Sequence, residues 1–145
     1  MPEPEADRRN DYSQAYLFDI LQSVKTIAMV GASADTTKDS YDVLRVLQEA
    51  GYDVIPVNPK PTLTEIRGTP VAHSLREIDR PVDMVEVFRP SAELYGIAEQ
   101  AVAIGAKVLW SQLGIYDDAA ARLAEDAGLA VVMDRCPKIE LLRPS

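Results

Sequence analysis

Apolar runs of five or six residues recur along this chain, most of them followed by a turn and then by apolar residues at helical spacing. The first is TIAMV, Thr26 to Val30. A run that is apolar throughout suits a parallel strand covered on both faces, whereas a half-exposed strand alternates. Val43, Leu44, Leu47 and Ala50 then follow at helical spacing, with Gly51 where such a helix closes. YDVIPV (Tyr52 to Val57) is the second run, ended by Asn58-Pro59. DMVEVF (Asp83 to Phe88) is the third, ended by Arg89-Pro90. Ser91 is placed to cap the next helix, which carries Leu94, Ile97, Ala98, Ala101 and Ile104 and closes at Gly105. AKVLW (Ala106 to Trp110) precedes a helix capped by Asp117 and closed by Gly128. LAVVM (Leu129 to Met133) is the fifth run, and Pro137 opens a short terminal helix. Tyr16, Leu17, Ile20, Leu21 and Val24 mark a helix ahead of the first strand. Between the second and third strands, Gly68 and Pro70 predict turns and short elements.

Strands alternating with helices predict an α/β fold: a Rossmann-like, doubly wound parallel sheet of five strands in the order 3-2-1-4-5. The 145 residues suit a single domain. Residues 1–12 are expected to form a flexible N-terminus, and 13–145 the domain with its extra N-terminal helix. The net charge of −8 argues against nonspecific nucleic-acid binding, which relies on clustered cations. No apolar run nears a membrane span, and MPEPEADRRNDYS is unlike a signal peptide, so the expected location is cytoplasmic. The single cysteine, Cys136, excludes an internal disulfide.

In such a sheet, ligands bind outside the carboxyl ends of the strands where the winding reverses, here expected between the first and fourth strands. GASADTTKDS (Gly31 to Ser40) and SQLGI (Ser111 to Ile115) would meet there. Gly31 admits backbone angles closed to other residues, Ser33, Thr36, Thr37 and Ser40 offer hydroxyls, and Lys38 offers charge. A helix N-terminus near Ser40 adds free N–H groups, which together make a phosphate site. NAD fits badly. Its fingerprint needs three glycines and a carboxylate after the second strand, whereas this chain has one glycine and then PVNPK.

Five stretches, VGAS, GYDVIPVNPK, VDMVEVFRP, GAKVLWSQLGI and GLAVVMDRCPKIE, occur in this order and closely resemble the small stand-alone CoA-binding proteins. That family is related to the CoA-binding domain of the succinyl-CoA synthetase α subunit. The resemblance covers about Thr26 to Glu140. It implies a Rossmann-like fold holding coenzyme A. Gly31, Ala32, Ser33 and the loop through Lys38 to Ser40 would cradle phosphates. Asn58, Pro59 and Lys60 would flank the adenosine phosphate end, Phe88 and Arg89 the adenine side, and Trp110, Ser111 and Gln112 the pantetheine arm. On this basis Gly31→Val is expected to abolish binding and spare the fold. Thr36-Thr37-Lys38-Asp39 replaces the arginine and proline of some relatives. Lys38 supplies charge without a planar fork, and Asp39 adds repulsion.

Arg89 has a competing role as partner of Glu86 or Glu93. His73, the only histidine, is expected at the surface, and no residues show metal-ligand spacing. Cys136 is read either as a small buried hydrophobe or as a thiol at a helix N-terminus able to form a mixed disulfide with CoA. No catalytic constellation is visible. The expected function is therefore CoA or acyl-CoA binding in a regulatory or carrier role. The alternatives are a nucleotide-dependent enzyme, acyl-CoA or NADP-linked, and a protein-interaction module that binds no nucleotide.

Overall fold

The computed structural model describes residues 12–143. The flexible segment expected at 1–12 therefore lies, except for Tyr12, outside the described residues. The chain runs α1 (Gln14–Ser23), β1 (Thr26–Val30), α2 (Asp39–Glu49), β2 (Asp53–Val57), β3 (Glu65–Ile66), β4 (Thr69–Pro70), β5 (Met84–Val87), α3 (Ser91–Ala103), β6 (Val108–Ser111), α4 (Asp118–Asp126), β7 (Ala130–Val132) and α5 (Pro137–Leu142). Five parallel strands form one sheet, as the alternation predicts. α1, α2 and α5 cover one face, where Leu17, Leu21, Leu44, Leu47 and Trp110 are buried. α3, which contributes Leu94, and α4 pack together on the other, over Val85, Leu109 and Val131. Among the described residues no helix is long and apolar enough to cross a membrane.

The strand order departs from the expectation. It is β2-β1-β5-β6-β7, so the third long strand pairs directly with β1, in the register Ile27↔Met84 to Val30↔Val87. The physical reason lies in the segment between β2 and β5. It holds a β3–β4 hairpin and one 3-10 turn (Leu75–Glu77) instead of a crossover helix. The hairpin turns through Arg67 and Gly68, both at positive φ, as a two-residue hairpin loop of matching twist requires. The edge beside β2 is occupied by a single parallel bridge, Val57↔Ala72. The Ala72 N–H donates to Pro56 O at 2.9 Å and the Asn58 N–H to Ala72 O at 3.0 Å. With that bridge counted as the stub of an edge strand, the order becomes 3-2-1-4-5-6. The winding therefore reverses between β1 and β5, one strand away from the expected place.

Helix termini follow the sequence with one exception. The Ser13 hydroxyl accepts from the Tyr16 N–H at 3.1 Å and Asp117 accepts from the Ala120 N–H at 2.9 Å, capping α1 and α4. Ser91 does not cap α3. Pro90 holds the cap position, and Ser91 Oγ accepts instead from the Tyr116 N–H at 2.9 Å, tying α3 to the loop after β6.

Glu86 sits in mid-strand on β5, level with Met29 and Trp110, fully buried and without a hydrogen-bond partner for either oxygen. Burial first, and the neighbouring Cys136 second, push its carboxyl well above the usual carboxylate range. The fold therefore holds a proton that the unfolded chain releases at an ordinary carboxylate pKa. The stability from this proton is complete below that unfolded value and is lost as pH rises through the folded one. In Glu86→Gln, which carries no such proton, the decline in stability between about pH 5 and pH 8 should be shallower than in the native chain. Urea melts across that range check it, and parallel slopes would show that Glu86 is not proton-linked to folding.

Candidate functional site

The carboxyl ends of β2, β1 and β5 converge on Gly31. Its N–H and that of Ala32 donate to Val57 O at 3.0 and 3.3 Å, and the Phe88 N–H donates to Val30 O at 2.8 Å. Gly31 has φ +91°, and a Cβ there would stand 2.8 Å from Phe88 O and 3.0 Å from Arg89 Cδ. Only glycine lets the loop turn at this point against β5.

Beyond Gly31 the loop is tied internally. Ser33 Oγ accepts from the Asp35 N–H at 3.0 Å. Asp35 Oδ1 in turn accepts from the Thr37 N–H (2.9 Å) and hydroxyl (2.7 Å). The Thr37 hydroxyl above all holds the Asp35 carboxyl below its usual range. Asn58 braces the loop from β2: Nδ2 donates to Ala32 O at 2.8 Å, and Oδ1 accepts from the Lys60 N–H at 2.9 Å. α2 then begins at Asp39, with Lys38 in the cap position and no side chain capping its first turn. An uncapped helix N-terminus is an anion site.

These elements enclose a cavity of about 750 Å³. It brings together Gly31, Ala32, Ser33, Lys38 and Ser40 from the loop with Asn58, Pro59, Phe88 and Arg89 from the other strand ends. Lys60 is exposed and is not among the lining residues. Trp110, Ser111 and Gln112 are not brought to the cavity either. All three are buried: the Trp110 indole N–H donates to Arg135 O at 2.9 Å, and the Ser111 hydroxyl to Ile115 O at 2.7 Å. They lie at the end of β6, a strand removed from the point of reversal.

The cavity includes residues that the sequence did not single out as site residues. His73, expected at the surface, lines it with Ser74 and Leu75 directly after the Ala72 bridge. The His73 ring Nε2 lies 3.1 Å from Leu63 O, and the His73 backbone N–H donates to Glu77 Oε2 at 2.8 Å. Glu93, Ile97 and Gln100 line the cavity from α3. Their i, i+4, i+7 spacing was the signal for a second stripe beside the core stripe. Of the two carboxylates open to Arg89, the structure selects Glu93. Arg89 Nε and Nη2 donate to its two oxygens at 3.1 and 2.7 Å. That pairing holds Glu93 below the usual carboxylate range and raises Arg89. Cys136 is buried in the core at the start of α5.

The contact with Phe88 changes what Gly31→Val should do. A branched side chain would meet backbone and take on a φ that it resists, so the sheet junction suffers along with the cavity. The substitution should cost about 2–4 kcal/mol of folding stability, read from denaturant melts. A variant of unaltered stability would show that the junction relaxes freely.

Residues 25–141 match the family model described as a CoA binding domain. The chain is 42% identical to the YneT protein of Bacillus subtilis over 127 residues, covering 88% of this chain and 93% of that protein. It is 35% identical over 89 residues to the α subunit of the ADP-forming acetate–CoA ligase I of Pyrococcus furiosus, covering 59% of this chain and 19% of that subunit. Among solved structures, a hypothetical protein of Pyrococcus horikoshii superposes with a TM-score of 0.86 at 34% identity, covering 97% of this chain and 96% of that one. With a matched region that runs from ahead of β1 into the last turn of α5, this chain belongs to the CoA-binding domain family.

Proposed function

We propose that this protein binds coenzyme A in the cavity between β1, β2 and β5, in a regulatory or carrier role without chemistry of its own. The observation that carries the reading is the junction of an uncapped α2 N-terminus with Lys38 and Arg89 around Gly31, in a chain of this family. Its volume lies within the range of ordinary cofactor sites. The diphosphate is assigned to the α2 N-terminus, where oriented N–H groups, Ser33, Ser40 and Lys38 supply donors. The adenosine end is assigned to the wall made by Pro59, Phe88 and the buried Leu75 and Ile97. Asn58 and Pro59 stand where an NAD site needs a carboxylate for its ribose, which favours CoA over NAD. Against catalysis, the His73 ring is engaged by the Leu63 carbonyl and not by a hydroxyl or thiol that it would activate. A cytoplasmic location suits such a ligand.

Isothermal titration calorimetry tests the reading. CoA should bind in the low-micromolar range, about −7 to −8 kcal/mol, and more tightly than NAD. Tighter NAD binding would overturn it. Lys60 directly follows the lining residues Asn58 and Pro59, and we assign it to the phosphate that distinguishes CoA from dephospho-CoA. Lys60→Ala should weaken CoA by about 1 kcal/mol and leave dephospho-CoA nearly unchanged, with the loss shrinking as salt is raised. Equal losses for the two ligands would move Lys60 to the diphosphate.

A further inference from the structure

Arg89 is committed twice in this structure. Its aliphatic stem lies against the bare face of Gly31, and its guanidinium is held in a fork by Glu93. Both residues line the cavity, and Glu93 is the acid in the first turn of α3. Two parallel N–H···O bonds on the edge of a guanidinium are also the geometry in which arginine takes a phosphate. Glu93 thus presents to Arg89, from within the chain, what a ligand phosphate would present from outside.

We propose that Glu93 is a built-in surrogate for a ligand phosphate, which holds Arg89 at the cavity and yields it to the phosphate of an incoming polyanion. The inference rests on the reading of this cavity as a CoA site. Three observations support the exchange. The Arg89 and Glu93 side chains are each 47% exposed, so water screens the pair and its rupture costs little. The Arg89 stem covers the face of Gly31, so a ligand approaching that glycine meets Arg89 first. The other charged lining groups, Lys38 and Asp39, belong to the start of α2, and neither takes part in the fork.

The consequence is selectivity gained at the expense of affinity. A ligand without phosphate cannot displace Glu93 and gains nothing from Arg89. A polyanion can, but it leaves an unpaired carboxylate beside it. Removing that carboxylate should therefore tighten binding, and only where Arg89 is present to be released.

Calorimetric titration of CoA into the native chain, Glu93→Gln, Arg89→Ala and the double variant decides the matter, with each fold checked by its melting curve. Glu93→Gln should bind CoA about three- to tenfold more tightly, and Arg89→Ala about tenfold more weakly. In the Arg89→Ala background, Glu93→Gln should shift affinity less than about twofold. Unchanged or weaker binding by Glu93→Gln would overturn the exchange and make Glu93 a brace for Arg89. Equal tightening in both backgrounds would also overturn it and leave simple charge repulsion. Should Glu93→Gln melt below the assay temperature, Glu93→Ala is titrated in its place with the same sign expected. If the native chain does not bind CoA, the CoA reading fails, and inorganic pyrophosphate becomes the probe. A tightening of pyrophosphate by Glu93→Gln that depends on Arg89 upholds the exchange, and its absence sinks it.

Discussion

The carbonyl of Phe88 and the bare α-carbon of Gly31 hold three strand ends at one point, and the rest of the site is arranged around that contact. β2 enters through Val57 O, which receives two N–H groups of the turn, and β5 through the bond from Phe88 to Val30. Because Gly31 can take φ +91°, the chain leaves β1 sharply and buries Ala32 beneath the loop, where Asn58 grips its carbonyl. The turn also fixes where α2 starts, and with it the direction of the free N–H groups at its end. Arg89 is placed by the same contact, since it follows Phe88 immediately. Fold and candidate site therefore share one steric requirement, and neither can be altered there alone.

The strands were legible because a parallel strand buried on both faces has to be apolar, and turns break such runs visibly. The order of the strands was not legible. It depends on which strand pairs with which, and the edge position beside β2 is filled by Ala72 alone, too short a stretch to leave a periodic trace. The site inherited both outcomes. Gly31, Asn58 and Arg89 directly follow apolar runs, a position visible in the sequence, and all three line the cavity. Trp110, Ser111 and Gln112 close one too; the expected reversal beside the fourth strand pointed to the segment from Ser111, and the family resemblance to all three, whereas the reversal lies between β1 and β5. His73 is inconspicuous in the sequence for the same reason, since nothing there marks Ala72 as the end of a strand. In the sequence Glu93 stands out only as a partner for Arg89, although its spacing from Ile97 and Gln100 puts the three on one helix stripe.

Both outer edges of the sheet are closed without a further full strand. On one side the bridge and hairpin shield β2, held to α2 by Gln48, which donates to Thr69 Oγ1 at 2.9 Å and accepts from Arg67 at 3.0 Å. On the other, the phenol of Tyr16 acts as a neighbour for β7. It donates to Val131 O at 3.0 Å and accepts from the Val131 N–H at 3.2 Å. Tyr12 stacks on Tyr16 and accepts from the Met133 N–H at 2.9 Å. Unpaired edge groups are costly when buried and invite association when exposed. The N-terminal helix therefore has a structural task that the hydrophobic spacing of its sequence only half reveals: it covers one face of the sheet and also satisfies the edge.

The charge balance bears on how an acidic chain takes a polyanion. Many of its carboxylates are paired away from the cavity, as in Asp53 with Arg80 and Asp42 with Arg45 and Lys138. Within the cavity, Lys38 and Arg89 face Asp39 and Glu93, so formal charges cancel and no excess of cations draws the ligand. What remains is local donors: the N–H groups at the uncapped α2 N-terminus and Arg89, whose guanidinium Glu93 holds, line the same cavity. Surface charges are screened over about 8 Å at physiological salt. A small polyanion inside the cavity therefore feels these few groups, whereas an extended one lying across the surface feels the net charge of −8. Oriented donors within an acidic shell admit the first and repel the second, a discrimination that a basic patch would not provide.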